Sequence, residues 1–114
     1  MDPTRAALFV YRAKAYIQLK EPELAKADLT KAGELDPKNA EVFGDLGLLQ
    51  MQDGLVDDAI HSYSKAIELN PENALYLYRR GNAYRQKEDL TSAIQDFSKR
   101  SEEHTSELQS RVDI

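Results

Sequence analysis

Small and large apolar residues recur along this chain on a schedule of 34 residues. Ala25, Ala59 and Ala93 fall in one register, Ala13, Gly47 and Gly81 in a second, Phe9, Phe43 and Leu77 in a third, and Leu29, Tyr63 and Phe97 in a fourth. Pro3, Pro37 and Pro71 keep the same step and close matching phrases, Met1-Asp2-Pro3, Leu35-Asp36-Pro37 and Leu69-Asn70-Pro71. Self-similarity at a period between about 20 and 50 residues marks a stacked array of supersecondary units.

The schedule predicts a pair of packed helices in each unit. Small residues at Ala13, Gly47 and Gly81, and at Ala25, Ala59 and Ala93, suit places where two helices approach closely. The large residues beside them fill the remaining space, each worth roughly 1.5 to 3 kcal/mol when buried. Breaks fall where the period needs them: Gly54 can take the left-handed conformation that ends a helix, Pro22 suits a first turn, and Asp89 is a good N-cap. Helices are therefore predicted at 5–19, 22–34, 40–52, 56–69, 74–87 and 90–99. Each hairpin buries only part of its apolar face, and stacking on neighbours covers the rest.

Composition narrows the function. A net charge of −5 and a pI near 5.0 argue against nucleic acid, whose phosphates need clustered Lys and Arg. Neither a membrane-spanning run nor a secretory leader is visible, so no membrane partner is expected. The absence of cysteine removes disulfides and thiolate metal sites; it fits the reducing cytoplasm and leaves the compartment open. His61 and His104 are the only histidines, and no phosphate loop or Ser, His and acid arrangement stands at credible spacing. No catalytic residue, metal or cofactor is expected. Asp57 with Asp58, and Glu21 with Glu23, sit at helix starts where negative charge complements the helix dipole.

These residues resemble the tetratricopeptide repeat. The unit 40–73 carries Phe43, Leu46, Gly47, Ala59, Tyr63, Ala66 and Pro71 on signature positions and departs at Gln50, where a Tyr is usual. The flanking units match through Phe9, Ala13, Tyr16, Ala25, Leu29, Ala32 and Pro37, and through Leu77, Gly81, Tyr84, Ala93 and Phe97. Arg12 and Arg80 replace a leucine, which a long side chain can do by packing its stem and carrying its head to water. The resemblance implies an all-α fold, a right-handed superhelical array of antiparallel helix pairs. Its expected division is the end of a preceding repeat at 1–5, repeats at 6–39 and 40–73, a truncated third at 74–99, and a tail at 100–114.

That tail is expected to be foreign, disordered or a helix extension. Arg100 breaks the alanine schedule of Ala32 and Ala66, and residues 100–110 read as the translation of a common sequencing-library adapter. At the other end the register already runs at Met1, which implies a longer parent array. A chain cut in mid-repeat is expected to be marginally stable or self-associating, and cooperative melting of a strict monomer above ~65 °C would contradict this.

The resemblance also implies where binding occurs, because the first helix of each repeat lines the concave side. The groove positions are then Val10, Tyr11 and Lys14; Asp45, Leu48 and Met51; and Leu75, Tyr78, Arg79, Asn82 and Arg85, with Ala7, Ile17, Gln18, Glu41, Gln52 and Gln86 beside them. Aromatic anchors, an adaptable Met and charges of both signs suit a peptide or helix of a protein partner, and Lys14, Arg79 and Arg85 would favour an acidic segment. Arg79 and Arg80 point about 100 degrees apart and cannot act as one patch. Some relatives clamp chaperone tails ending in Glu-Glu-Val-Asp. Here Val10, Lys14, Asp45 and Leu75 replace the clamp residues and only Arg79 matches, so no useful binding of such tails is expected. The expected function is a protein-interaction scaffold; the rival is a targeting or regulatory segment of a larger enzyme, such as a glycosyltransferase or prolyl isomerase.

Overall fold

A computed structural model describes residues 3–99. The tail beyond Lys99, with His104, and the first two residues lie outside that range. Five helices follow one another, α1 (Pro3–Gln18), α2 (Pro22–Leu35), α3 (Ala40–Gln52), α4 (Val56–Leu69) and α5 (Ala74–Gln86). Residues 90–99 are helical as well (α6), and the described residues include no strand. The ends differ from the predicted ones by at most two residues.

Each helix packs on the next, and α3 also touches α5, so the odd-numbered helices form an inner layer and the even-numbered ones an outer layer. Within each hairpin the close approach has a visible cause. A methyl group added at Gly47 would lie 2.6 Å from a Tyr63 ring carbon, and one at Gly81 equally close to Phe97. In the first hairpin the facing residue is the smaller Leu29, and Ala13 is accommodated there; both are fully buried.

The hairpin turns share one conformation. Lys20, Gly54 and Glu88, 34 residues apart, take φ of 61°, 79° and 69°. In each, the following residue returns a backbone bond into the last helical turn: Glu21 N to Tyr16 O at 2.8 Å, Leu55 N to Gln50 O at 2.8 Å, and Asp89 N to Tyr84 O at 2.9 Å. This six-residue closure satisfies carbonyls that the helix end leaves unpaired. The turns between hairpins end on asparagine. Asn39 Oδ1 accepts from Glu41 N at 3.1 Å and Asn73 Oδ1 from Leu75 N at 3.0 Å, capping α3 and α5. Arg5 holds the equivalent place in α1, and there the helix runs on back to Pro3. Asp89 accepts from Ser92 N at 3.2 Å at the head of α6.

Candidate functional site

The inner layer brings Lys14, Asp45, Leu48, Leu75, Arg79, Asn82 and Arg85 onto neighbouring odd-numbered helices, where Leu48, Leu75 and Arg85 are exposed and Asp45, Arg79 and Asn82 half-buried. Ile17, on α1, is exposed as well. Tyr78 is nearly half exposed, its ring centroid 6.3 Å from that of Phe97. Met51 packs against the Ala59, Tyr63 and Ala83 cluster and so serves the contact between hairpins as much as the surface. Tyr11 is well exposed and lines a cleft on α1 together with Arg5, Leu8, Phe9 and Arg12.

Val10 is a correction. It is only 8% exposed and belongs to the core with Ala13, Ala25, Leu29 and Val42, so it offers no groove surface. It is enclosed by side chains of both neighbours, Ala25, Leu29 and Ala32 of α2 and Val42 and Leu49 of α3. One repeat further on the same register holds Gly44, against which the Tyr76 ring lies so closely that a methyl group there would sit 2.4 Å from a ring carbon.

Charges of opposite sign interleave across the layer. Lys14 of α1 pairs with Glu41 of α3, and this bond raises the lysine's pKa. Arg79 of α5 donates through Nη1 to the Gly44 carbonyl oxygen at 3.3 Å. Asp45 lies near both: burial pushes its carboxyl pKa up and Glu41 adds to the push, while Arg79 and Lys14 oppose it. Burial likewise raises the Tyr63 and Tyr76 phenols, which sense the same Asp45 and Arg79 charges. The formal charges of Lys14, Glu41, Asp45 and Arg79 cancel, which leaves the basic bias at the α5 end, with exposed Arg85. The described residues contain no cluster of His, Cys, Asp or Glu that could hold a metal, and no helix long and apolar enough to cross a membrane.

Family models for the tetratricopeptide repeat match residues 8–39 and 45–101. The chain belongs to the tetratricopeptide repeat family. It is 32% identical over 113 residues to human tetratricopeptide repeat protein 16, covering 86% of this chain and 13% of that protein. It is 29% identical over 100 residues to the human mitochondrial import receptor subunit TOM70, covering 82% of this chain and 16% of the receptor subunit. The crystal structure of MamA superposes with a TM-score of 0.87 at 27% identity, over 95% of this chain and 63% of that one. The chain thus spans about one seventh of the length of these curated relatives.

Against the tetratricopeptide repeat pattern, Arg12 and Arg80 each find a carboxylate partner, Arg12 while still largely exposed and Arg80 while mostly buried. Arg12 donates through Nε and Nη2 to the two Asp28 oxygens at 2.7 Å each, and Arg80 through Nε and Nη2 to those of Asp96 at 2.8 and 2.7 Å. The Arg12 guanidinium lies 5.5 Å from the Phe9 ring centre and 5.9 Å from that of Tyr16, and that of Arg80 lies 5.8 Å from Tyr84. The middle repeat replaces the whole set: Leu46 stands for the arginine, Gln50 for the tyrosine and Ser62 for the aspartate, and Ser62 Oγ donates to Gln50 Oε1 at 2.6 Å. The Gln50 departure is therefore one member of a coordinated exchange. Asp28 and Asp96 escaped the sequence reading; their signal was co-occurrence, an aspartate 16 residues after each arginine and a serine after the leucine.

Proposed function

We propose that the inner face binds an extended or helical segment of a partner protein, with the repeats running over 6–39, 40–73 and 74–99. The observation that supports this best is that Ile17, Leu48 and Leu75 are exposed on the odd-numbered helices among the charged side chains of Lys14, Asp45, Arg79 and Arg85, the mixture of apolar and charged groups that a bound segment can engage. An acidic part of the ligand belongs at α5, where Arg79 and Arg85 meet it beside Asn82, and an apolar part at Leu48 and Met51. Lys14 contributes less than its charge suggests, because Glu41 already holds it.

Random-peptide phage display against the chain, followed by titration of an enriched peptide into isotope-labelled protein, tests the reading. Shifts are expected along α1, α3 and α5, with affinity falling about tenfold or more in Leu48→Glu, given the worth of one buried leucine. Shifts confined to α2 and α4 would reject it.

A further inference from the structure

The 34-residue register also exposes residues that break it. Leu19, Leu24 and Leu55 are 70%, 48% and 44% exposed. The other two repeats place Asp53 and Lys87 in register with Leu19, Asp58 and Ser92 with Leu24, and Glu21 and Asp89 with Leu55. Hairpins therefore form with charged or hydroxyl residues at all three positions, and packing of the repeat calls for a leucine at none of them. All three stand at hairpin turns: Leu19 between α1 and α2, Leu24 in the first turn of α2, and Leu55 at the N-cap of α4. Ion pairs join these turns along one edge of the array. Lys26 of α2 bonds to Asp53 in the second turn, and Lys87 in the third donates to Asp57 of α4 at 2.6 Å. Between the first two turns a cleft of about 330 Å³ is lined by Ile17, Lys20, Pro22, Leu49 and Gln52. One repeat further on, the counterparts of Ile17 and Pro22 are Met51 and Val56, which pack on the Ala59, Tyr63 and Ala83 cluster. The edge is also acidic. Segments 19–26, 53–58 and 87–92 hold seven carboxylates against three lysines. Two of those lysines are already taken, Lys26 by Glu23 and Asp53, and Lys87 by Asp57.

We infer that the edge formed by the first two hairpin turns docks a basic amphipathic segment of a partner protein. Its apolar side chains cover Leu19, Leu24 and Leu55, and one of them enters the cleft. Its lysines or arginines meet the surplus carboxylates, an arrangement in which apolar contact supplies affinity and opposite charge supplies selection and speed of encounter. A second copy does not meet this need, because each chain carries a net charge of −5. The surface meets the inner face only at Ile17 and Gln52, and the inference does not rest on the function proposed there.

The probe is an amphipathic peptide of repeating Leu-Lys-Lys-Leu-Leu-Lys, with a twin in which glutamate replaces every lysine, each titrated into the isotope-labelled full chain. Shifts are expected at Leu19, Leu24, Gln52 and Leu55 with the lysine peptide and none with its twin. The deciding variant combines Leu19→Asp, Leu24→Ser and Leu55→Glu, which restores residues found in register in the other repeats and so should leave the melting temperature nearly unchanged. It adds two negative charges, so an association by charge alone would tighten, whereas docking on the leucines weakens about tenfold or more. Leu48→Glu, on the inner face, should not weaken binding. Equal or tighter binding by the triple variant overturns the inference, as do shifts confined to the inner face or a lysine peptide that leaves the edge unshifted.

Discussion

The Arg80 guanidinium closes a two-bond fork on the Asp96 carboxylate, both bonds under 2.9 Å, across the α5–α6 hairpin. Asp96 is almost completely buried, so its charge is removed from water and depends on that fork. The same pair recurs as Arg12 and Asp28, but with the arginine far more open. The middle repeat does without ions, using Leu46 with the Ser62–Gln50 bond. One architectural position therefore has two chemically self-consistent solutions, each of which satisfies its own buried polar atoms.

Mixing the two solutions should cost more than exchanging them. Asp96→Ala, which strands Arg80, is expected to lower stability by about 2 to 4 kcal/mol. Replacing the whole set by the middle-repeat residues, with Arg80→Leu, Tyr84→Gln and Asp96→Ser, should recover most of that loss. Asp28→Ala should cost less than Asp96→Ala, because water can take over Arg12. Urea denaturation of the four proteins checks this; a triple variant no better than Asp96→Ala would show that the set does not act as a unit.

The close approach of α3 to α4 is set by Gly47 against the Tyr63 ring. Gly47→Ala gains helix propensity of about 1 kcal/mol but forces the ring or the helix aside, and overpacking of this kind costs typically 1 to 3 kcal/mol. A net loss is expected. The first hairpin shows the remedy, Ala13 facing Leu29. Gly47→Ala combined with Tyr63→Leu should therefore be less destabilised than the sum of the single variants, as read from a double-mutant cycle in urea.

The helices were legible because Pro22, Gly54 and the recurring alanines act through their own size and backbone preference, which a sequence displays directly. Partners across helices were not: Asp28 reads as an ordinary exposed acid until α2 folds back on α1. Lys14 and Val10, one turn apart, look equally suited to a groove, yet Val10 is buried among side chains of α2 and α3 while Lys14 reaches out to Glu41. The left-handed turns at Lys20 and Glu88 were hidden for the opposite reason. Their side chains disfavour the conformation, and only their register with Gly54 gives them away.

Those two positions carry a removable cost. A non-glycine residue in the left-handed region gives up about 1 kcal/mol relative to glycine, which the surrounding turn bonds must offset. Lys20→Gly and Glu88→Gly are each expected to stabilise the chain by about 0.5 to 1 kcal/mol, less the added freedom of the unfolded glycine. Gly54→Ala should move stability the other way. Thermal melts of the three variants suffice; a destabilised Lys20→Gly would mean that the lysine side chain itself supports the turn.

Asp45 and Asp53 should answer pH with opposite signs. Burial raises the Asp45 pKa above its ordinary 3.8, with Glu41 adding to the effect and Arg79 and Lys14 opposing it, so its charged form is disfavoured in the folded chain. That penalty is present at neutral pH and disappears as pH falls through the raised pKa. Asp45→Asn should therefore raise the melting temperature at pH 7, with the gain shrinking toward zero as the pH drops below 3.8. Asp53 is the reverse case, since its bond from Lys26 holds its pKa below 3.8 and favours the charged form on folding. Asp53→Asn should slightly lower the melting temperature at pH 7, as suits an exposed pair, and the deficit should fade on acidification through that depressed pKa. Melting curves of both variants against the parent from pH 7 to pH 3 check the pair, and a gain in Asp45→Asn that grows on acidification would reverse the assignment of burial as the dominant influence on that carboxyl.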